Sequence, residues 1–223
     1  MTTVVSTIWR WTVASSPSFL TPFGKKLPDS DKIERHIEVP MAAYLVLLLA
    51  ILSRLLPFAF HTTSVGFTAV GGGLLYFGAR RSRWQTIPAV LALMATDWYL
   101  TTQIYNYPFH ASAYLVTWFW YAAVLLFAHQ VLSNKSSMLR VAGAVLASST
   151  SFFVLSNFAV WAGSNMYPHT AAGLAACYVA AIPFYANDIM STAVTAGALF
   201  GLPALARDIS ATLRDARHNQ RPA

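Results

Sequence analysis

Residues 67–83 read FTAVGGGLLYFGARRSR, and this stretch combines the two features that decide the fold. Its apolar part, Phe67 to Ala79, carries no charged residue, whereas the loop that follows it is basic, with Arg80, Arg81 and Arg83. Four glycines lie within the apolar part, at positions 71, 72, 73 and 78. In lipid, glycine lets helix backbones approach closely, because packing there must replace the hydrophobic effect. We therefore predict a short membrane segment that is kinked or tightly packed.

Similar apolar segments recur along the whole chain. Together with the quoted stretch they number six, at residues 40–60, 67–79, 86–104, 111–132, 139–162 and 183–205. Apolar residues make up 56% of the chain and charged residues only 10%, whereas soluble domains carry about 25% charged residues. The composition excludes a water-soluble protein. It predicts an all-α, polytopic membrane protein with six transmembrane helices.

The distribution of basic residues predicts the topology. The connections at 61–66, 105–110 and 163–170 contain no Lys, Arg, Asp or Glu. Of the 15 Lys and Arg residues, 14 lie in the tails, in the other two loops or, for Arg140, at the loop edge of the fifth segment, and only Arg54 lies well inside a predicted span. Short loops rich in Lys and Arg stay in the cytoplasm. We therefore expect both termini to be cytoplasmic and the three uncharged loops to be external.

Two tails flank the membrane domain in this interpretation. Residues 1–39 form the amino-terminal tail, 40–205 the six-helix domain and 206–223 a basic amphipathic tail. In the last of these, apolar residues recur every four positions opposite basic ones: Leu205, Ile209 and Leu213 against Arg207, Arg214 and Arg217. Such a helix lies among lipid headgroups or docks on a partner subunit. The basic clusters lie beside apolar spans and accompany no base-stacking module, so anionic lipid is the expected partner rather than nucleic acid.

The last apolar stretch, Thr170 to Leu205, is too long for one span and too short for two. Pro183 lies within it, and proline removes a helix hydrogen bond and disfavours helix in the preceding residue. We therefore predict a break near Pro183. This gives a short helix at 170–182 on the outer face and a sixth span at 183–205.

Three charged residues within the spans are the main candidates for a functional site, because placing a charge near mid-bilayer costs about 2.5–3.5 kcal/mol on insertion scales. Counted along the predicted spans, Arg54, Asp97 and Asp188 all lie roughly 10 Å below the outer surface. An Arg54–Asp97 bridge that holds the bundle together is one interpretation. A second carboxylate exceeds what neutralisation requires, which favours a polar ligand site open to the outside. Asn157 is either another wall of that site or the donor of an interhelical hydrogen bond.

Histidines and aromatic residues mark the predicted outer rim. His61, His110 and His169 fall one in each external loop, near Trp161 and Tyr167. Three imidazoles can bind a divalent transition metal, although no pair has the spacing of a known metal motif. The alternatives are gating or ligand contact, which we assign to Trp161 and Tyr167, and ordinary placement at a membrane interface. A single cysteine excludes a site built from several thiolates, and no motif identifies a cofactor.

Several short motifs carry a resemblance to a known family. They are Arg54–Leu55–Leu56–Pro57, Phe67–Thr68–Ala69–Val70–Gly71, Asp97, Asn157–Phe158 with Trp161, Tyr167–Pro168–His169–Thr170, Gly173–Leu174, Cys177–Tyr178 and Ile182–Pro183–Phe184. On these residues the chain resembles an uncharacterised family of bacterial six-span membrane proteins. That family in turn resembles the substrate-binding S components of energy-coupling factor transporters, which bind vitamins and related micronutrients. The resemblance covers about residues 42–205.

The resemblance to S components implies a location in the bacterial inner membrane and a ligand pocket that opens outward. The loop His61 to Gly66 would gate the pocket, and a partner transmembrane subunit driven by two ATPases would be loaded with the ligand. Here the chain departs from many S components, which carry two alanines four residues apart on the first span. Ala43 is followed at that spacing by Leu47.

The sequence thus predicts a solute-binding transport component whose polar pocket is lined by Arg54, Asp97, Asn157 and Asp188. The alternative is an accessory subunit of a larger membrane complex that docks through its tails. An enzyme is disfavoured, because neither a nucleophile–base pair nor a complete metal-ligand motif is present. The identity of the ligand is left open.

The topology can be tested by cysteine labelling. Cysteines at Ser112 and Ser164 should react with a membrane-impermeant thiol reagent in intact cells, because both positions belong to the predicted outer side. Cysteines at Ser82 and Ser136 should not react. The unmodified protein, with Cys177 as its one thiol, supplies the background. The reverse labelling pattern would refute the orientation.

Overall fold

A computed structural model describes residues 30–59, 67–134 and 136–219. Over these ranges the chain is helical and contains no strand, which confirms the all-α class. The helices are α1 (Ser30–Ser53), α2 (Leu56–Ala59), α3 (Val70–Arg80), α4 (Thr86–Tyr99), α5 (Ala111–Leu132), α6 (Met138–Gly163) and α7 (Ala171–Asn219). A 3-10 turn, Arg83–Gln85, precedes α4, and a π-helical turn, Leu100–Ile104, follows it.

The chain divides into two compact units, Met1–Glu38 and Val39–Ala223. In the first unit the structure describes residues 30–38, which are helical. The tail predicted at 1–39 therefore lies mostly outside the described residues. The second unit contains the remainder of α1 and helices α2 to α7.

Three of the described helices are long and apolar enough to cross a membrane: α5, α6 and the Ala171–Arg214 part of α7. The predicted count of six is wrong by this criterion. The apolar part of α1, Met41–Ser53, is shorter than a span. Helix α3 has 11 residues, or about 16 Å at 1.5 Å per residue, against a hydrocarbon core of about 30 Å. The coarser expectation of a membrane protein is supported.

The end of α1 is held by identifiable hydrogen bonds. Helix α1 gives way to a turn in which the Arg54 N–H donates to the Ile51 carbonyl at 3.1 Å. The Ser53 hydroxyl donates to the Ala50 carbonyl at 2.6 Å and accepts from the Ala69 N–H at 2.9 Å. This hydroxyl ties the end of α1 to the start of α3. Arg54 follows directly, so its backbone lies at this junction between α1 and α3.

Helix α7 corrects the prediction of a break at Pro183. The chain is helical without interruption from Ala171 to Asn219, with both Pro183 and Pro203 inside the helix. The separate outer-face helix at 170–182 is therefore wrong. A proline removes only one intrahelical hydrogen bond, and in lipid an interrupted helix would expose further backbone groups that no water can satisfy. Continuing the helix leaves fewer groups unpaired than breaking it.

The carboxy-terminal tail is a continuation of α7. Leu205, Ile209 and Leu213 are 56%, 51% and 55% exposed, so the apolar stripe predicted for this tail has no covering partner within the described residues. Its position in the headgroup plane stays a prediction.

Helix α3 is the most enclosed element of the second unit, and it packs against α5, α6 and α7. Eight of its residues are buried, among them Leu74, Leu75 and Phe77. Its glycines make the close approach of the neighbouring helices possible. A Cβ at Gly72 would lie 2.7 Å from the backbone nitrogen of Ala196, and one at Gly73 would lie 2.7 Å from the Ala50 Cβ. The predicted tight packing of this segment is confirmed.

Gly72→Ala should lower the stability of the protein by about 1–3 kcal/mol, because the added methyl group overpacks the contact with α7. Gly143→Ala is the matched control, since a Cβ at Gly143 of α6 would meet no atom within 4 Å. That change should be neutral or stabilising, because alanine favours helix over glycine. The thermal midpoint in mild detergent measures both. Equal effects of the two substitutions would contradict the packing assigned to α3.

Candidate functional site

Arg54 and Asp97 form the ion pair expected from their charges. Nη2 of Arg54 lies 2.5 Å from Oδ1 of Asp97. The Asp97 side chain is fully enclosed, whereas that of Arg54 is 20% exposed. Within the part of the chain that the structure describes, this is the one ion pair. A carboxylate buried to this extent requires such compensation.

A second donor completes the surroundings of Asp97. Nε1 of Trp118 in α5 donates to Oδ2 of Asp97 at 2.9 Å, so each carboxylate oxygen has a partner. The hydroxyl of Thr101 donates to the main-chain carbonyl of Asp97 at 2.7 Å and lies 2.6 Å from the hydroxyl of Tyr114. Because the single proton of Thr101 is committed to that carbonyl, Tyr114 is the donor in the second contact. Asp97 is thereby held from α1, α4 and α5.

Three aromatic rings line the α5 side of this pair. Phe109, Tyr114 and Trp118 stack with centroid separations of 5.2 Å, 5.9 Å and 6.2 Å. On the other side of the pair, Nη1 of Arg54 is buried and has no hydrogen-bond acceptor among the described residues. The Arg54–Asp97 region is thus a closed ion pair with one spare donor.

Asn157 and Asp188, the other two of the four residues predicted to line the polar pocket, lie at a separate cavity between α6 and α7. It encloses about 150 Å³, and its lining residues are Ser149, Phe152, Phe153, Ser156, Asn157, Ala181, Phe184, Tyr185 and Asp188. Asn157 and Asp188 therefore share a site, and neither Arg54 nor Asp97 belongs to it. The four predicted pocket residues form two pairs in two places.

The error arises from the continuity of α7. The prediction of a common level counted Asp188 from a span that begins at residue 183, but α7 begins at Ala171. Asp188 therefore lies 17 residues, or about 26 Å, along the helix. Its neighbour in the cavity, Ser149, occupies the middle of α6, which runs from Met138 to Gly163. Asp188 is therefore level with the middle of α6.

The polar groups of the cavity are incompletely satisfied. Ser149 lies close enough to interact with the Asp188 carboxylate, yet its buried hydroxyl is in hydrogen-bond geometry with no described group. The Asn157 amide nitrogen donates to the Phe153 carbonyl of its own helix at 2.8 Å, so its amide oxygen is free of that contact. Asp188 has no ion-pair partner within residues 30–59, 67–134 and 136–219.

Trp161, Tyr167 and His169, which were predicted for the outer rim, lie at the end of α6 and in the loop that follows it. Nε1 of Trp161 donates to the Pro168 carbonyl at 2.9 Å, and its ring lies 5.6 Å from that of His169. Tyr167 is half-buried in the same loop. None of these three side chains lines the Asp188 cavity. They organise the loop between α6 and α7, and their role as ligand contacts stays a prediction.

The predicted metal site is only partly described. His61 lies outside the described residues, and His110 is exposed at the start of α5. Within the described ranges, no group of three or more His, Cys, Asp or Glu side chains could hold a metal ion. The set of His61, His110 and His169 therefore stays a prediction.

Two residues of these sites, Trp118 and Ser149, were not predicted from the sequence. Trp118 is a partner of Asp97 because α4 and α5 are in contact, and no local sequence pattern predicts that contact. Ser149 had a visible signal, because residues 148–151 read SSTS in the middle of an apolar segment. Hydroxyl groups clustered at that depth need partners, and they indicate a polar site.

The comparisons with known proteins identify a family. The family model described as "Family of unknown function (DUF6580)" matches residues 35–213, which is most of the chain. Comparison with curated proteins and with solved structures yields no match. None of the three comparisons supports the resemblance to S components.

A double-mutant cycle tests the Arg54–Asp97 pair. Arg54→Leu should destabilise the protein by about 3–5 kcal/mol, because it leaves the enclosed Asp97 carboxylate without its cation. Adding Asp97→Leu should recover part of the loss. Arg140→Leu, a change at an exposed cation, should have little effect. Thermal unfolding in detergent is measured for the wild type, for Arg54→Leu and Asp97→Leu alone, for the double variant and for the Arg140→Leu control. Losses that simply add in the double mutant would contradict the pairing.

Proposed function

We propose that this chain, which belongs to the family of unknown function DUF6580, is an integral membrane component that binds a small solute for transport. Its ligand site is the cavity between α6 and α7, with Asp188 and Asn157 as the polar contacts. The proposed pocket is smaller than the one expected from the sequence, because Arg54 and Asp97 form an ion pair elsewhere. Their pair is assigned a structural role.

The observation that supports this proposal is the uncompensated state of Asp188. A mid-span carboxylate is costly and marks a functional site unless it is paired. Asp97 meets that requirement through Arg54 and Trp118, whereas Asp188 faces a cavity. Secondary transporters also bind their substrates near the bilayer midplane, between helices.

The direction of access follows from the cavity's position on α6. Its α6 residues, from Ser149 to Asn157, form one helical face that extends from mid-helix toward Gly163. The loop beyond Gly163 has no charged residue, so the positive-inside rule assigns it to the outer face. We therefore propose an outward-facing site, both termini in the cytoplasm, and a role like that of an S component in the inner membrane. The tails would contact partner subunits.

The second candidate function is an accessory subunit of a membrane complex. The exposed stripe of Leu205, Ile209 and Leu213 favours it, because uncovered apolar surface marks contact with a partner protein or with a membrane. In this alternative the cavity has no ligand and Asp188 contributes nothing to binding.

Ligand binding can be tested by thermal shift of the purified protein with a panel of vitamins, amines and metal ions. At least one compound should raise the thermal midpoint of the wild type. Asp188→Asn, which removes the charge but keeps the size, should abolish the shift and leave the fold intact. Asp208→Asn is the matched control, since Asp208 is exposed and lies on the same helix. It should respond like the wild type.

Mild solubilisation followed by native mass spectrometry separates the two functions. A small molecule that copurifies with the wild type and is lost from Asp188→Asn supports transport. If no compound stabilises the wild type, and purification yields a fixed set of partner proteins, the accessory-subunit function replaces the transport proposal.

A further inference from the structure

We infer that the α6–α7 cavity binds a small organic cation, namely a protonated amine whose ammonium group lies between Asp188 and Asn157. This inference rests on the proposed solute-binding function and names its ligand class. It depends on the hydrogen-bonding character, the walls and the size of the cavity.

The polar groups of the cavity offer acceptors. The Asp188 carboxylate accepts only. The Asn157 amide nitrogen must be the atom bound to the Phe153 carbonyl, because a carbonyl cannot donate, and so the amide oxygen is left as an acceptor. The Ser156 hydroxyl donates to the Phe152 carbonyl at 2.6 Å, which leaves only its lone pairs. A ligand that satisfies these atoms must bring donors, and an ammonium group brings three.

The hydroxyl of Ser149 completes this set. It is 1% exposed, it has no partner in hydrogen-bond geometry among the described residues, and it lies close enough to the Asp188 carboxylate to interact with it. It can donate its proton to that carboxylate and still accept from a ligand. Asp188 is thereby oriented without being neutralised.

The cavity walls are aromatic. Phe152, Phe153, Phe184 and Tyr185 line it. The rings of Phe153 and Tyr185 are 4.8 Å apart, and the Tyr185 hydroxyl lies 2.9 Å from that of Thr150, which fixes the ring. Aromatic faces attract cations, most strongly where water is excluded. They offer no such advantage to a carboxylate ligand, which the Asp188 charge would also repel.

A bare metal ion fits this cavity less well than an amine. Hard cations take six or more oxygen ligands. The cavity brings together the oxygens of Asp188, Asn157, Ser149 and Ser156, and its remaining walls are apolar. Its volume of about 150 Å³ equals that of an engineered protein cavity that binds benzene, which has about six heavy atoms. The ligand is therefore an amine of about that size.

Three compounds of nearly equal shape test the charge requirement: n-butylammonium, n-butanol and butyrate. Each is added to the wild-type protein in detergent at constant ionic strength and pH, and binding is measured by equilibrium dialysis and thermal shift. Butylammonium should bind, and the other two should not. Asp188→Asn should weaken butylammonium binding about tenfold or more, since one charged hydrogen-bond partner is lost.

Two further substitutions separate ligand contact from general damage. Asn157→Leu should weaken butylammonium binding, whereas Tyr185→Phe, which keeps the ring, should retain it. Asp208→Asn should bind like the wild type. These results, with no shift from butanol, butyrate or sodium chloride, would support the inference.

Other outcomes overturn the ligand class in distinguishable ways. Equal or stronger binding of butanol or butyrate contradicts the cation requirement and leaves a solute-binding protein in place. A shift with sodium ions and none with butylammonium assigns the site to a metal ion instead. Absence of binding by all these probes overturns the amine inference, and the copurification experiment then decides the proposed function.

Discussion

The close approach of α3 to its neighbours is the constraint on which the other contacts depend. Helix α3 is too short to cross a bilayer, yet it packs against α5, α6 and α7. Its consecutive glycines point in different directions, since successive residues of a helix differ by about 100°. Gly71 and Gly72 meet α7, Gly73 meets α1, and Gly78 meets α5. The four missing side chains let three helices approach α3 closely, so α3 sets their distances from it.

Asp97 is enclosed and Asp188 is half-buried, and the two carboxylates have different surroundings. Asp97 is satisfied by a guanidinium and an indole from two other elements, and this arrangement holds α1, α4 and α5 together. Asp188 has hydroxyl and aromatic neighbours and a cavity beside it. Under the proposed function, the Asp188 charge is needed for ligand binding, whereas the first pair contributes to stability. The same residue type serves different ends because of its surroundings.

Composition and charge sufficed for the helical class and for the Arg54–Asp97 pair, because both follow from the cost of placing polar groups in lipid. The break at Pro183 was predicted from a local preference. It failed because one lost hydrogen bond costs less than exposing the ends of two helices. The prediction also placed Arg54, Asp97, Asn157 and Asp188 in one pocket, whereas the cavity beside Asp188 contains Asn157 and neither member of the ion pair. The partnership of Asp97 with Trp118 and the walls of the cavity depend on contacts between distant segments, which no local pattern encodes.

The length of α7 has a mechanical consequence. At 1.5 Å per residue its 49 residues extend about 74 Å, more than twice the hydrocarbon thickness. One continuous rod therefore carries Asp188 at one point and the stripe that begins at Leu205 at another. Helices bend most readily at prolines, and Pro183 and Pro203 bracket the piece that bears Asp188. A bend at either proline would change the direction of the segment that begins at Leu205 relative to the segment that carries Asp188, because both belong to one helix.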